Sequence, residues 1–487
     1  MDSIQAFLDG LSGIIWGPYV LIPLLFLTGL YLTIRLGGLQ FLRLGSALSL
    51  GLLRRRDPGS KGDISQFQAL TTALAATVGT GNIVGVAAAI GIGGPGALFW
   101  MWVTGVLGMA SKYSEAFLAV RFRTVDSKGE RNGGPQYYLE RGIKGPLGKV
   151  LGWSFTIFTV IACFGIGNMT QANSISANVE SSFNVPVWVT GAVLSILALV
   201  VLVGGIKSIG RVTSAFVPIM IVFYVVAALY ILVVNIGDVP AAFGQIFHDA
   251  FTGTAATGGF VGSLFIIAVQ FGFARGIFSN ESGMGSAAIA AAAAQTSHPV
   301  RQGLVSMTQT FIDTIIVVTM TGLVIVTTGA YAFVDDEGNQ IEASLMTGEA
   351  FTHGLPGEWG HWVVTIALAM FAFSTILGWS YYGERNIEKL FGRRLVVPFR
   401  IVFSLVVFVG CTTQLGVVWA FSDVMNGLMA LPNLIGLIIL SGLVVRETKF
   451  YLKNDPKLVA TTAQVDAFMK GQPGWDEWRY HEKNLAS

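Results

Sequence analysis

The chain has 487 residues, of which 53% are hydrophobic and only 12% are charged, whereas soluble domains average about 25% charged residues. Its mean hydropathy is +0.65, and its net charge is +2. This composition excludes an ordinary soluble domain. It predicts an all-α polytopic membrane protein that has the lipid bilayer as a partner and binds no nucleic acid. Cys163 and Cys411 both lie in apolar stretches, so no disulfide framework is expected.

Apolar runs of about 20 residues are long enough to cross a bilayer. The sequence contains eleven such runs, at 17–34, 67–90, 97–120, 151–175, 185–203, 212–235, 258–292, 304–329, 361–382, 396–413 and 423–445. The first eleven residues carry two aspartates and no basic residue, which is unlike a cleavable signal peptide. Residues 41–56 mix leucines with arginines and are expected to lie along the membrane surface.

Lysines and arginines collect in alternate loops between these runs. Six lie in 35–61 and seven in 121–149, whereas the loops on the other side contain none. The positive-inside rule therefore predicts eleven transmembrane helices with the N-terminus outside and the C-terminus in the cytoplasm. We expect a multi-pass protein of the cell's inner (plasma) membrane.

Without the first run, the remaining ten divide into two halves of five. An odd number of spans forces the halves into opposite orientations, which is the inverted-repeat plan of many transporters. The sequence thus predicts one extra N-terminal helix and a 5+5 inverted-repeat core with two broken helices. The expected regions are 1–66 (first span and surface segment), 67–235 (first repeat), 236–257 (external loop), 258–445 (second repeat) and 446–487 (cytoplasmic tail).

The first run of each half carries polar, helix-breaking residues at mid-membrane depth. Residues 75–85 read AATVGTGNIVG, and residues 271–283 read FGFARGIFSNESG. An interrupted helix persists in lipid only where protein buries the gap or a cavity accepts it. Two such breaks at matching positions indicate the substrate site of a secondary transporter. The freed N–H groups suit a carboxylate and the freed carbonyls suit a cation or an ammonium group, although glycines at this spacing also serve helix packing alone.

Ionisable residues within such a span are costly and usually functional. Arg275 and Glu281 lie in the second break, where the alternatives are a structural salt bridge between helices or a span boundary that in fact lies nearer the membrane interface. The amides of GNMTQAN at 167–173 either cap the fourth run or reach into a pocket.

Phe371, Ser374 and Thr375 follow one another at i, i+3 and i+4 and therefore share one helix face. Two hydroxyls and a carbonyl form an oxygen-rich site for a hard cation, although hydroxyls in spans more often bond their own backbone.

Other motifs are uninformative. Residues 91–96 match G-x-G-x-x-G but connect two membrane spans with no strand before them. No G-x-x-x-x-G-K-[ST] occurs, so we do not expect ATP hydrolysis, and the five histidines lack metal-ligand spacing.

Five ordered motifs resemble the alanine/glycine:cation symporter family. They are GTGNIVGVAAAIGIGGPGALFWMWVTGVLGMASKYSEAFLAVRFR (79–123), NGGPQYYLERG (132–142), GNMTQANS (167–174), RGIFSNESGMGSA (275–287) and HPVRQGL (298–304). The resemblance implies sodium-coupled uptake of small neutral amino acids on the fold of the amino acid/sodium symporters. It implies Na⁺ as the coupling ion and no organic cofactor.

The resemblance also implies roles for individual residues. Thr80 and Gly81 are expected to contact the substrate carboxylate, while Gln171, the break at 273–280 and Trp379 line the pocket. The full set of expected substrate residues is Thr80, Gly81, Gln171, Phe273, Gly276, Phe278, Asn280 and Trp379. The expected sodium ligands are Ala75, Val78, Phe371, Ser374 and Thr375.

The leading interpretation is therefore a sodium-coupled symporter that imports alanine or glycine by alternating access. A symporter of glutamine or another neutral amino acid is the alternative. A channel is disfavoured because channels usually assemble around a symmetric filter, and no nucleophile–base set or metal cluster supports a membrane enzyme.

Overall fold

A computed structural model describes residues 2–17, 19–252, 261–335, 338–357, 359–413, 416–476 and 478. Helices account for almost all of this part. In chain order they are α1 (Asp2–Ile15), α2 (Leu21–Arg35), α3 (Leu39–Leu48), α4 (Gln66–Thr77), α5 (Val84–Gly93), α6 (Gly96–Arg121), α7 (Pro135–Gly142), α8 (Pro146–Phe164), α9 (Thr170–Phe183), α10 (Val187–Val203), α11 (Gly205–Val234), α12 (Val239–Thr252), α13 (Val261–Asn280), α14 (Ala288–Ala292), α15 (Pro299–Thr310), α16 (Thr319–Thr328), α17 (Ala343–Gly354), α18 (Gly360–Phe391), α19 (Val396–Thr412), α20 (Gly416–Asn454) and α21 (Thr462–Met469). Strands β1 (Thr124–Val125) and β2 (Arg131–Asn132) pair antiparallel.

Several helices are long and apolar enough to cross a bilayer, which supports a polytopic membrane protein. Within the described residues there are six: Pro146–Phe183, Gly205–Val234, Pro299–Thr328, Gly360–Phe391, Arg393–Thr412 and Ala420–Asn454. A bent pair, Leu21–Arg35 with Leu39–Arg54, makes a seventh if counted as one span. Helix length and composition therefore do not confirm the predicted count of eleven. Part of the reason is that each broken helix divides its apolar run between shorter elements.

The first predicted break is present. Ser65 begins α4 with a capping box, in which its hydroxyl accepts from Gln68 N–H and the Gln68 side chain accepts from Ser65 N–H. The helix ends at Thr77, a single tight turn covers Thr80–Asn82, and α5 resumes at Val84. The structure thus confirms an interruption within 75–85.

The second break lies further along the chain than the sequence predicts. Helix α13 continues to Asn280, and the irregular backbone spans 281–287 before α14. The expected break at 273–280 is therefore wrong in register. Gly272 and Gly276 instead allow close packing on α6: a Cβ at Gly272 would lie 2.5 Å from Ala97 O, and one at Gly276 would lie 2.4 Å from Thr104 Oγ1.

Two long helices contain a widened turn. The helix from α8 to α9 passes through Gly165–Met169, and that from α15 to α16 passes through Phe311–Val318, both with i→i+5 hydrogen bonds. Such turns are frequent at functional sites because they displace the side chains around them. Helix α13 packs on α5 and α6, while α18 packs on α4 and α9, so the two breaks and the first widened turn face a common interior.

Candidate functional site

A small cavity lies where the two breaks meet α9, α18 and α20. Its lining residues are Ala76, Thr77, Gly79, Gly81, Ile166, Gln171, Phe278, Glu281, Thr375, Trp379 and Asn426. Its volume is about 10 Å³, close to the room that one water molecule requires. The side chains must therefore move outward before even a small organic molecule can occupy it.

Five oxygens lie together beside this cavity, where α4 ends against α18. Ser374 Oγ lies 3.1 Å from Ala75 O and 2.8 Å from Phe371 O. Thr375 Oγ1 lies 3.1 Å from Ala75 O, 3.5 Å from Val78 O and 3.1 Å from Phe371 O. The structure thus brings together all five residues that the sequence proposes as cation ligands.

The chemistry of this oxygen cluster fits a hard cation. Each of the two hydroxyls carries one proton. The hydroxyls make five contacts with the three carbonyl oxygens, so two protons cannot serve all of these contacts at once. Ala75 O is also released from its usual helical donor, because Gly79 N–H donates to Asn82 Oδ1 at 3.0 Å instead. Neutral carbonyl and hydroxyl oxygens are the ligands that hard cations prefer.

On the other side of the first break, backbone N–H groups face α9. Thr80 N–H donates to Gln171 Oε1 at 3.2 Å, and Gln171 Nε2 donates to Ile166 O at 3.1 Å. Gly81 lies against α13, since a Cβ there would be 3.0 Å from the Phe278 ring and 3.1 Å from Ser279 Cα. Among the described residues, the buried Thr80 Oγ1 has no hydrogen-bond partner. This edge of the cavity therefore presents donors at a place where only glycine fits.

The backbone of the second break is satisfied by side chains from α6 and α20. Lys112 Nζ donates to Glu281 O at 2.9 Å, and Asn433 Nδ2 donates to Gly283 O at 2.8 Å. Gly285 N–H donates to Glu115 Oε1 at 3.1 Å. Charged and amide side chains thus replace the hydrogen bonds that the helix loses here.

The structure separates the eight predicted substrate residues into two groups. Gly81, Gln171, Phe278 and Trp379 line the cavity, and Thr80 lies next to it through its bond to Gln171.

The other three predicted residues lie elsewhere, because α13 remains helical to Asn280 and turns them toward α6. Phe273 packs on Phe26 and Trp100 with ring centroids 5.8 and 6.0 Å away. Gly276 contacts Thr104, and Asn280 Nδ2 donates to Thr314 Oγ1 at 3.0 Å.

Two polar residues near the site carried a signal that the sequence interpretation did not use. Asp313 is a buried acid within the predicted run 304–329, and its carboxylate accepts from Asn82 Nδ2 at 2.8 Å and from Ser279 Oγ at 2.9 Å. Asn426 is an amide in the last predicted span and lines the cavity. Ile166 also lines it, but nothing distinguishes this residue from other apolar residues of its span.

A second cavity of about 160 Å³ lies beyond the Phe278 ring, on the side predicted to be external. It is lined by Ser12, Gly13, Trp16, Gln270, Phe271, Ala274, Arg275, Phe278 and Asp423. Trp16 Nε1 donates to Asp423 O at 2.9 Å, so α1 forms part of its wall. Phe278 lines both cavities.

On the face predicted to be cytoplasmic, ion pairs join the end of α18 and the turn after it to the β1–β2 hairpin. Arg385 is fully buried and lies 3.2 Å from Asp126, 2.6 Å from Glu130 and 2.8 Å from Glu388. Arg393 lies 2.8 Å from both Asp126 and Glu130. We call these five residues the Arg385 network. Burial favours a higher pKa for Asp126, but hydrogen bonds from Glu130 N–H and Lys128 N–H and the two guanidinium groups outweigh it, so the pKa lies below its usual range.

A helical membrane protein with two interrupted helices around a closed, oxygen-lined cavity belongs to the class of secondary transporters. The fold is similar to that of MhsT, whose crystal structure in complex with L-phenylalanine aligns with a TM-score of 0.56 at 14% identity, over 88% of this chain and 97% of that one.

The chain matches the sodium:alanine symporter family over residues 1–464, and it belongs to that family. It is 51% identical to the sodium/alanine symporter AgcS of Methanococcus maripaludis, over 94% of this chain and 100% of the relative. It is 35% identical to the probable sodium/glutamine symporter GlnT of Bacillus subtilis, over 93% and 92% of the two chains. Membership of this family places the chain among transporters, not enzymes.

Proposed function

We propose that the protein imports a small neutral amino acid, alanine or glycine, together with sodium by alternating access. The observation that carries this proposal is the convergence of five oxygens from α4 and α18 beside a small closed cavity. The relative with 51% identity is named a sodium/alanine symporter, which agrees with this chemistry.

Sodium would bind between Ala75 O, Val78 O, Phe371 O and the hydroxyls of Ser374 and Thr375. These groups belong to α18 and to α4 with the residue that follows it, Val78, so a bound cation would hold the two helices together. Without sodium, the carbonyl oxygens at the end of α4 would lose the positive charge that replaces their helical hydrogen-bond donors. Coupling then follows, because the geometry of the first break depends on the ion.

The substrate carboxylate would bind at the edge formed by Gly79, Thr80 and Gly81. The start of a helical turn offers backbone donors and the positive end of a helix dipole. Gln171 Oε1 accepts from Thr80 N–H, and the substrate would compete for this donor. The Thr80 hydroxyl, which lacks a partner among the described residues, is a further donor within reach.

The size of the cavity favours alanine or glycine over glutamine. Phe278, Trp379 and Ile166 restrict it to about 10 Å³, and every additional methylene requires further displacement of these walls. A glutamine or other neutral amino acid symporter is the second candidate, supported by the 35% identity to GlnT.

In the membrane we propose eleven spans, with the N-terminus outside and the C-terminus in the cytoplasm of the cell's inner membrane. The alternating distribution of lysines and arginines supports this orientation. Residues 67–235 and 258–445 would form the inverted repeats, and Na⁺ would be the coupling ion without an organic cofactor.

The test is uptake by the purified protein in proteoliposomes with an imposed sodium gradient. We expect saturable uptake of alanine and glycine, weak uptake of leucine, and no uptake when potassium replaces sodium. Sodium-dependent uptake of glutamine in preference to alanine would favour the second candidate, and uptake that does not saturate would contradict a carrier mechanism.

A further inference from the structure

Glu281 is a buried acid at the start of the second break, and it lines the central cavity. Only 5% of its surface is exposed. Trp379 Nε1 donates to its Oε1 at 2.8 Å, and Ser286 Oγ donates to its Oε2 at 2.5 Å. Both donors are neutral, so the two oxygens are held in place without being neutralised.

The nearest lysine does not pair with this carboxylate. Lys112 Nζ donates to the backbone carbonyl of Glu281 at 2.9 Å and lies 3.7 Å from Glu115 Oε2. Among the described residues, no basic nitrogen lies within 4.0 Å of the Glu281 carboxylate. Glu115 and Asp313 are buried in the same region, so one lysine faces three carboxylates.

Three buried carboxylates that share one lysine are incompletely neutralised, which is costly, and cations that approach them are strongly favoured. A carboxylate has about four acceptor positions, and neutral donors occupy two of those on Glu281. The free positions border a cavity that Gly79 and Gly81 also line. An α-amino acid carries its ammonium one atom away from its carboxylate, so one small cavity holds both groups.

We propose that Glu281 is the counter-charge for the ammonium group of the transported amino acid. This inference rests on the proposed function, and it replaces the expectation that carbonyl dipoles alone hold the ammonium. Trp379 and Ser286 act as positioning residues, because their hydrogen bonds fix the carboxylate toward the cavity. The first break then binds the carboxylate of the substrate and the second break binds its ammonium group, so the site selects zwitterions.

The test variant is Glu281→Gln, which keeps the side-chain size and an oxygen that accepts from Trp379. Uptake is measured in proteoliposomes at saturating sodium, and the sodium dependence is measured separately at saturating alanine. We expect the KM for alanine to rise by about 10-fold or more, as for loss of a charged hydrogen bond, with the sodium dependence unchanged. Glu281→Asp, which keeps the charge, should fall between the wild type and Glu281→Gln.

The matched control is Glu447→Gln. Glu447 is another buried glutamate, but it pairs with Arg121 at 3.2 Å and does not line the cavity. We expect this variant to keep the wild-type KM for alanine.

An unchanged KM in Glu281→Gln overturns the proposal, because glutamine would then imitate a carboxyl group that is already protonated. A higher sodium requirement at an unchanged KM also overturns it, since Glu281 would then serve the ion.

Competition by propionate, which lacks the ammonium, tests the wild type directly and needs no variant to fold. Propionate should inhibit alanine uptake at least about 10-fold less well than unlabelled alanine, and equal inhibition contradicts the proposal. Absence of sodium-driven alanine uptake by the wild type would be a separate failure, that of the proposed function.

Discussion

Both helix breaks leave backbone groups without their helical hydrogen-bond partners, but the groups that replace those partners differ between the two breaks. The first break leaves carbonyls facing Ser374 and Thr375 and donors facing Gln171, all of them neutral. The second break is longer, and Lys112, Glu115 and Asn433 bond its backbone directly. Ligands are therefore the natural partners of the first break, whereas the protein itself completes the second.

Mutations at the two breaks should therefore have different effects, chiefly on transport at the first break and chiefly on stability at the second. A change at the first break should alter substrate or sodium binding in a protein that still folds. A change in Lys112, Glu115 or Asn433, which support the second break, should instead reduce stability, whereas Glu281 and the residues that position its carboxylate should affect the ligand.

The largest effect is expected for Gly81→Val at the first break. The new side chain would meet the Phe278 ring and the backbone of Ser279, at 3.0 and 3.1 Å from Cβ alone. We expect sodium-driven uptake to fall by about 100-fold or more, since two or more atoms overlap where the substrate must approach the backbone.

Gly85→Val is the matched control, because none of the described residues outside the local helix lies within 4 Å of a Cβ at Gly85. It should retain most of the uptake. Loss of uptake in both variants to the same degree would mean that helix propensity, not the site, is responsible.

At the second break, Glu115→Gln should reduce stability. The substitution removes the charge that faces Lys112 at 3.7 Å and that strengthens the hydrogen bonds from Gly285 N–H and Asn433 Nδ2, and a hydrogen bond to a charged group is worth about 1.5–3 kcal/mol. We expect a lower Tm for the purified protein in detergent, with an unchanged KM for alanine in the protein that folds. An unchanged Tm with a higher KM would reverse the roles assigned to the two breaks.

The double variant Ser374→Ala with Thr375→Val removes both hydroxyl oxygens from the cluster. Because a hydrogen bond or contact to a charged group is worth about 1.5–3 kcal/mol, the sodium concentration for half-maximal uptake should rise at least about 10-fold. Ser380→Ala is the control on the same helix, where the hydroxyl donates to Leu377 O. Equal sodium dependence in the double variant and the wild type would remove the cation assignment.

The smallest expected effect concerns size selection. Ile166→Ala enlarges the cavity without removing a hydrogen bond, and one methylene in an apolar pocket is worth about 1–3 kcal/mol. The ratio of leucine to alanine uptake should increase by about 10-fold. Ile175→Ala, which changes a buried residue of α9 that does not line the cavity, should leave the ratio unchanged.

The first break and the shared face of Phe371, Ser374 and Thr375 were predictable because their signals are local, whereas Ala75 and Val78 were implied as ligands by the family resemblance. Three glycines with Thr80 and Asn82 leave no continuous helix within 79–85, and the i, i+3, i+4 spacing of Phe371, Ser374 and Thr375 determines a shared helix face. That this face meets the end of α4 follows from tertiary packing, which spacing alone does not reveal.

The second break was harder to predict because its glycines have two different uses. Gly272 and Gly276 allow α13 to approach α6, whereas Gly283 and Gly285 adopt positive φ angles of 88° and 83° in the irregular segment. These four glycines look alike in the sequence. Only the residues that surround each one in the folded protein show whether it permits helix packing or an irregular backbone. Helices α1, α12 and α17 lie outside the eleven apolar runs and were likewise not predicted.

The residues that lie on the two sides of the central cavity differ in number and in kind. Toward the side predicted to be external, the Phe278 ring lines both this cavity and the next one, so a movement of one side chain changes the shape of both. Toward the opposite side, the Arg385 network must be pulled apart by a collective motion of α18 and the hairpin, which takes microseconds to milliseconds. We therefore expect opening toward the outer side to require smaller movements than opening toward the inner side, where secondary-structure elements must separate.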